Sequence, residues 1–285
     1  MPLSRMTRIA ALLLLATSAL QAEEFRIETR LYSGAKEPFA ATTTLFHRNN
    51  VYDYLEPVAG EPSKEAAPLS EVTIFQPAQR RFLVVSGSGK VFTIVGCDEI
   101  DAELEKVRPA MRSRARQLEN QGDARSQKQG RYFAFLADPE FTVRSVDATG
   151  VLLFSSEFLT YRVVTTDARR RAVMDQIHEF NNWQAKLNHL LHGALPPDPR
   201  LAVNTTLADR SRIAKEIFLT LETAEQPVQI HAVHRFEPGL RGADLQRIKA
   251  TQQQQQQSAS VSFAEYLRQK AKTDQAANQK APRRR

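Results

Sequence analysis

Six histidines, one cysteine and a scatter of carboxylates are the residues of this chain most suited to chemistry, and their spacing decides which could act together. His189 and His192 stand three apart near the end of an expected helix, close enough to share a metal. No third ligand lies nearby, and a helix end favours cationic side chains, so the pair reads as solvated or capping. His231 and His234 fall three apart on an expected strand and therefore point to opposite faces. His178-Glu179 begins like a zinc-protease helix but continues Phe180-Asn181-Asn182, without the second histidine. Gly87-Ser-Gly89 is a hairpin turn with no helix after it to receive a phosphate, and no G-x-S-x-G elbow occurs. Asp53, Glu56, Asp98 and Glu99 have no partner that spacing identifies. Asn204-Thr205-Thr206 matches a glycosylation acceptor. Cys97, the single thiol, lies between Val95-Gly96 and Asp98-Glu99, with no cation beside it to lower its pKa, and reads as a buried free thiol. No catalytic residue, metal site or cofactor motif is identified.

The elements that would position these residues are mostly strands. In Phe25–Tyr32, Phe25, Ile27 and Leu31 alternate with Arg26, Glu28 and Arg30, the pattern of a half-buried strand. Thr42–His47 and Val51–Leu55 follow, joined through Arg48-Asn49-Asn50, where Asn tolerates a tight turn. Next come Val72–Gln76, Arg81–Ser86 and Val91–Val95, with four-residue connections that make hairpins and an antiparallel sheet. Phe82–Val85 and Val91–Val95 are apolar on both faces, so this part of the sheet is covered on both sides or lines an apolar cavity. A helix is expected over Asp98–Gln121, kinked or divided at Pro109. After a polar Arg- and Gln-rich loop, strands resume at Phe141–Asp147, Val151–Phe154 and Phe158–Thr165. The remainder reads as a helix over Ala168–Leu191, a short one over Leu201–Asp209, a hairpin of Ile217–Thr223 and Val228–Phe236, and a closing helix over Leu240–Thr251. The fold class is α+β: about eleven strands in a curved, mostly antiparallel sheet, one domain over residues 23–251.

The chain has 285 residues, 42% of them hydrophobic and 25% charged, with little glycine and no cysteine pair, which excludes collagen-like, wholly disordered and disulfide-framework classes. Its formal charge of +7 is uneven. Met1–Ala22 holds two Arg and no acid, and residues 252–285 hold seven cations against two acids, so Glu23–Thr251 is neutral. A neutral body argues against nucleic acid as a partner. Residues 1–22 have the basic start, apolar run and small-residue end of a secretory signal peptide, cleaved after Ala19 or Ala22. Nothing after it is apolar enough to span a membrane, so a periplasmic or secreted protein is expected. Residues 252–285 read as a Gln-rich, basic tail with a short helix near 262–271, otherwise disordered. Its Arg283-Arg284-Arg285 end offers attraction to an anionic membrane or cell-wall surface.

A leader, early hairpins, then Val51-Tyr-Asp-Tyr-Leu-Glu56, Val72-Thr-Ile-Phe-Gln-Pro77, Arg80-Arg-Phe-Leu-Val-Val85 and a helix resemble uncharacterised secreted bacterial proteins. These are similar in turn to the LolA and LolB lipoprotein-carrier superfamily. The segment Gly193-Ala194-Leu195-Pro196-Pro197 through Leu201 and Asn204 resembles the same set. The resemblance implies a half-open barrel with helices across one face or its mouth, binding a lipid or lipoprotein acyl chain. Together with the two-faced strands it makes Val84, Phe92, Ile94 and Phe154 the candidate cavity residues. Two other readings stand beside it: a structural or interaction protein whose concave face is filled by its own side chains, and an enzyme with an unread site.

Overall fold

The computed structural model describes residues 23–34, 36–56, 71–146, 150–167, 170–222 and 226–280, with side chains up to residue 273. The expected signal peptide and the Arg283–Arg285 end lie outside the described residues. Twelve strands form one sheet: β1 (Phe25–Tyr32), β2 (Ala40–His47), β3 (Asn50–Glu56), β4 (Val72–Gln76), β5 (Arg81–Val85), β6 (Val91–Gly96), β7 (Thr142–Val146), β8 (Val151–Ser155), β9 (Leu159–Asp167), β10 (Arg212–Leu221), β11 (Val228–Pro238) and β12 (Ala259–Val261). Their order is β12-β6-β5-β4-β3-β2-β1-β11-β10-β9-β8-β7, and the sheet does not close into a barrel. All pairs are antiparallel except β12 on β6. The α+β class is as the sequence implies, with one strand more. The turn between β2 and β3 has Arg48 and Asn49 both at positive φ, which matches the right-handed twist of the strands it joins.

Six helices cover the sheet among the described residues: α1 (Cys97–Glu119), α2 (Ala124–Ala137), α3 (Arg171–His192), α4 (Asp198–Asp209), α5 (Gly242–Gln257) and α6 (Phe263–Lys280). On the inner face, Phe46, Val51, Phe75, Phe82, Val84 and Val95 pack against Ile100 of α1, Ile177, Phe180 and Leu187 of α3, and Phe263 and Tyr266 of α6. A second inner cluster gathers Phe154, Tyr161 and Val163 under Leu136 of α2 and Val203 and Leu207 of α4. On the outer face, Leu45, Tyr52, Tyr54, Ile74, Leu83, Val85 and Phe92 lie with Ile248 of α5. This is the double cover that the two-faced strands demand.

Three expectations are corrected. The polar stretch before β7 is not a loop but contains α2, started by Asp123, whose carboxylate accepts from the Ser126 amide. Pro109 lies inside α1 without dividing it. The largest change is at the C-terminus: the glutamine run is not disordered tail but the end of α5, followed by β12 and a helix that reaches Lys280. Thr251 and Gln252 hydrogen-bond the hydroxyls of Tyr54 (3.1 Å) and Tyr52 (3.0 Å), and Ser258 donates to the Gly89 carbonyl (2.7 Å). Glu71 accepts from Tyr266 of α6 (2.9 Å) and pairs with His192 (3.2 Å) and Lys270 (3.5 Å). The glutamines are too polar to announce a packing face. What docks α5 is Ile248 and two tyrosine hydroxyls that need partners.

Cys97 is fully buried and its thiol is pushed up to about 11 by that burial, which outweighs the nearby Arg80. Asn204 is also buried, donating to Asn182 (2.9 Å), so the glycosylation pattern falls on an inaccessible side chain.

Two outcomes follow. A chain ending at Thr251 loses the buried aromatics Phe263 and Tyr266 and should lose at least about 3 kcal/mol, read by chemical denaturation. An unchanged midpoint would make the C-terminal segment a separable tail after all. Gly130 of α2 faces α1 so closely that a Cβ there would lie 2.9 Å from the Ala115 carbonyl oxygen. Gly130→Ala should therefore lower the melting temperature, although alanine favours a helix by about 1 kcal/mol.

Candidate functional site

Strand β11 pairs with β1 from His231 to Pro238, but with β10 only from Val228 to Val233. Beyond Glu216 and Val233 the two strands part. The cause is local: a bulge between Ala214 and Glu216 shifts the register of β10 on β9, leaving Lys215 without an opposite residue. A bulge of this kind bends its strand. His178 of α3 then takes up one of the carbonyls at this end of β10, donating from Nε2 to Arg212 at 3.1 Å.

The gap is a cleft of about 1030 Å³. Phe25, Val173, Ile213 and Phe236 give it apolar walls, and Glu23, Asp167, Arg170, Lys215, Arg235 and Glu237 a charged rim. Part of the rim is closed on itself, since Arg170 pairs with Glu23 (2.6 Å) and Arg212 with Asp167 (2.7 Å).

His234 also lines the cleft and marks a polar step in the inner floor of the sheet. Along β1, Ile27 belongs to the first inner cluster and Leu31 packs on the second, with Thr29 between them. Along β11, Phe236 and Ala232 divide in the same way around His234. Thr29 Oγ1 and His234 Nδ1 share a hydrogen bond of 2.9 Å. Burial, with a smaller contribution from the Arg200 charge, pulls the His234 imidazole down to about 4. His178 is lowered by burial too, and the Tyr161 phenol is raised by it. Arg200, in the first turn of α4, interacts electrostatically with all three, and burial lowers its own pKa. No carboxylate pairs with it among the described residues. Arg26 and Arg247, by contrast, hold Asp244 and Glu56.

The four residues expected to line a cavity do not meet. Val84 is fully buried in the first inner cluster. Phe92 and Ile94 point to the other face, because Val85 and Leu83, not Val84, are their cross-strand partners. Phe92 lies under α5, and Ile94 is 40% exposed. Phe154 is buried in the second cluster, on β8 in the other half of the sheet. The two-faced strands are filled on the inner side and covered at Leu83, Val85 and Phe92 on the outer, and the open space lies where two strands separate. His234 and Arg200 carried no sequence signal, since each depends on pairings between distant segments.

Two other polar features are self-contained. Asp53 accepts from Thr44 (2.6 Å) and Gln184 (3.2 Å) and is nonetheless pushed up to about 6 by burial. On the outer face a groove of about 740 Å³ runs past Tyr32, His231, Phe218 and Arg162. Its rings face one another, with His231 and Phe218 stacked at 4.0 Å and Arg162 over Phe218 at 5.0 Å. No group of three or more His, Cys, Asp or Glu among the described residues could hold a metal, and no described helix is long and apolar enough to cross a membrane.

The two shifted groups oppose each other in acid. His234 takes up its proton more readily unfolded, so its contribution to stability is lost as pH falls from about 6.5 towards 4. Asp53 takes up its proton more readily folded, so its contribution grows as pH falls from about 6 towards 3.8. Denaturation between pH 7 and 4 should show His234→Gln losing less stability than the parent and Asp53→Asn losing more. Parallel profiles for all three would contradict the burial of these groups. Comparison with family models, with curated proteins and with solved structures gives no match for this chain.

Proposed function

We propose that this chain is an exported, non-enzymatic binding protein that holds an apolar chain, the acyl tail of a lipid or of a lipidated protein, in the cleft between β10 and β11. The observation that carries this reading is the cleft itself: apolar walls of Phe25, Val173, Ile213 and Phe236 inside a charged rim. Its size is at the upper end of the range for small-molecule sites. About ten buried methylenes would contribute ~8 kcal/mol, enough to offset a moderate association cost. Export rests on the layout of residues 1–22. The resemblance to lipoprotein carriers points to the same class of ligand, held here by a different set of residues from those first expected.

A fluorescent fatty acid should bind the full-length protein purified free of lipid, and native mass spectrometry of protein from its own host should show a co-purifying lipid. Val173→Trp fills the cleft from the first turn of α3 and should weaken uptake at least tenfold, whereas Ile94→Ala, on the other face, should leave it unchanged. No uptake by the parent protein, or equal uptake by Val173→Trp, would leave the structural or interaction reading in its place.

A further inference from the structure

The cleft is not confined to the inner face. Side chains along a strand take opposite faces in turn. Ala232 packs in the second inner cluster, so Val233 looks outward, and His234 turns inward again to meet Thr29. Val233 and His234 both line the cleft, which therefore passes between the parted strands from one face of the sheet to the other. Val233 also lines the outer groove of Tyr32, Phe218 and Arg162, so cleft and groove meet at that residue. The rings of the groove spend their faces on one another, but among them stand the hydroxyls of Tyr32, Thr160 and Thr220 and the amide of Gln229.

Charge is left over along the same path. Of the carboxylates lining the cleft, Glu23 pairs with Arg170, Asp167 with Arg212 and Glu237 with Arg235, and Glu24 lies 2.6 Å from His47 Nδ1. Beside the groove, Glu216 is held by His231 (3.0 Å). Lys215 in the cleft and Arg162 in the groove are both exposed, and no carboxylate pairs with either among the described residues. The bulge in β10 explains Lys215, which has no residue opposite it. Roughly 10 Å of strand separates Lys215 from Phe218, and Arg162 lies over that ring at 5.0 Å.

We propose that the acyl chain lies in the cleft while an extended anionic headgroup emerges past Lys215 into the outer groove and reaches Arg162, so that the ligand is a phosphate-bearing lipid rather than a free fatty acid. This rests on the reading of the cleft as an acyl-chain site and narrows it. A groove of about 740 Å³ has room for far more than a terminal carboxylate. Lysine serves a phosphate as a point charge and arginine as a planar fork, and their placement selects for a headgroup more than it adds affinity.

The test displaces a fluorescent fatty acid from the full-length protein with palmitate, monopalmitoylglycerol and palmitoyl lysophosphatidylglycerol, below the concentrations at which they form micelles. All three carry one palmitoyl chain; the first matches the third in charge but not in headgroup size, and the second lacks the charge. The lysophospholipid should bind at least tenfold more tightly than either. Lys215→Gln and Arg162→Gln should each reduce its advantage over monopalmitoylglycerol at least threefold and leave monopalmitoylglycerol unchanged, and Lys215→Arg should keep it. Gln229→Trp, which obstructs the groove, should weaken the lysophospholipid tenfold and spare palmitate. Equal binding of all three ligands by the parent protein, or a preference for palmitate, would overturn the outer headgroup site and leave the cleft intact. A preference for the lysophospholipid that persists in both glutamine variants would overturn the role of the two cations. If none of the three binds, the cleft reading fails and this inference fails with it.

Discussion

A strand has two edges of N–H and C=O groups, and β11 satisfies them over different stretches: from His231 to Pro238 towards β1, only from Val228 to Val233 towards β10. Much of the arrangement of the inner face follows from that inequality. Where the ladder is complete, the inner face is tiled by aliphatic side chains under α4. Where it stops, backbone groups need other partners, and α3 supplies one through His178. An imidazole so placed is drawn into the core, and His234 and Thr29 stand beside the same boundary. The polar step is thus a consequence of the interrupted ladder. A continuous ladder would have allowed one uninterrupted apolar floor.

The opposite face is organised by charge at one point. Arg26 projects outward from β1, is 7% exposed, and is surrounded by Asp244, Glu28 and Glu237. Asp244 also accepts from the Arg241 amide (2.8 Å) at the start of α5. One carboxylate therefore begins the helix and neutralises a buried cation on the first strand. From there α5 runs across β3, where Arg247 lies 3.9 Å from the centre of the Tyr54 ring and pairs with Glu56. Removing a partner from such a buried cluster leaves an uncompensated charge, which is more damaging than losing an exposed pair.

Much of the fold was legible from side-chain alternation. Phe25, Ile27 and Leu31 of β1 announce a one-faced strand, and the paired apolar faces of Phe82–Val85 and Val91–Val95 announce a strand covered twice. One helix and the end of another escaped for different reasons. In α2 the buried positions are Gly130, Leu136 and Ala137, and a glycine chosen for close approach to α1 looks like a helix breaker when its neighbour is unknown. In α5, foreseen only as far as Thr251, the last turns are glutamines, and the Gln252 amide serves Tyr52, two hundred positions away in sequence. The candidate site was illegible for a related reason. Alternation tells which face a residue takes, but not where a ladder ends. Val84 and Phe92 were expected to share one cavity, yet nothing in their own segments says that they face opposite layers. The opposite faces of His231 and His234 followed directly from their spacing. That one of them would meet Thr29 and the other Phe218 did not.

The pairing of the first strand with one of the last has a consequence for how the chain is made. Arg26 and Asp244 are 218 positions apart, and β6 receives its outer neighbour only from β12. A polypeptide grows from its N-terminus, so β1 to β6 exist long before α5 and β12. Through that interval their outer aromatic face and the free edge of β6 are bare, a combination prone to pairing with other chains. Closure therefore waits for residues 242–261, and topology of this kind folds slowly. Until β12 has been made, the edge of β6 and the outer aromatic face lack the cover that they have in the finished sheet.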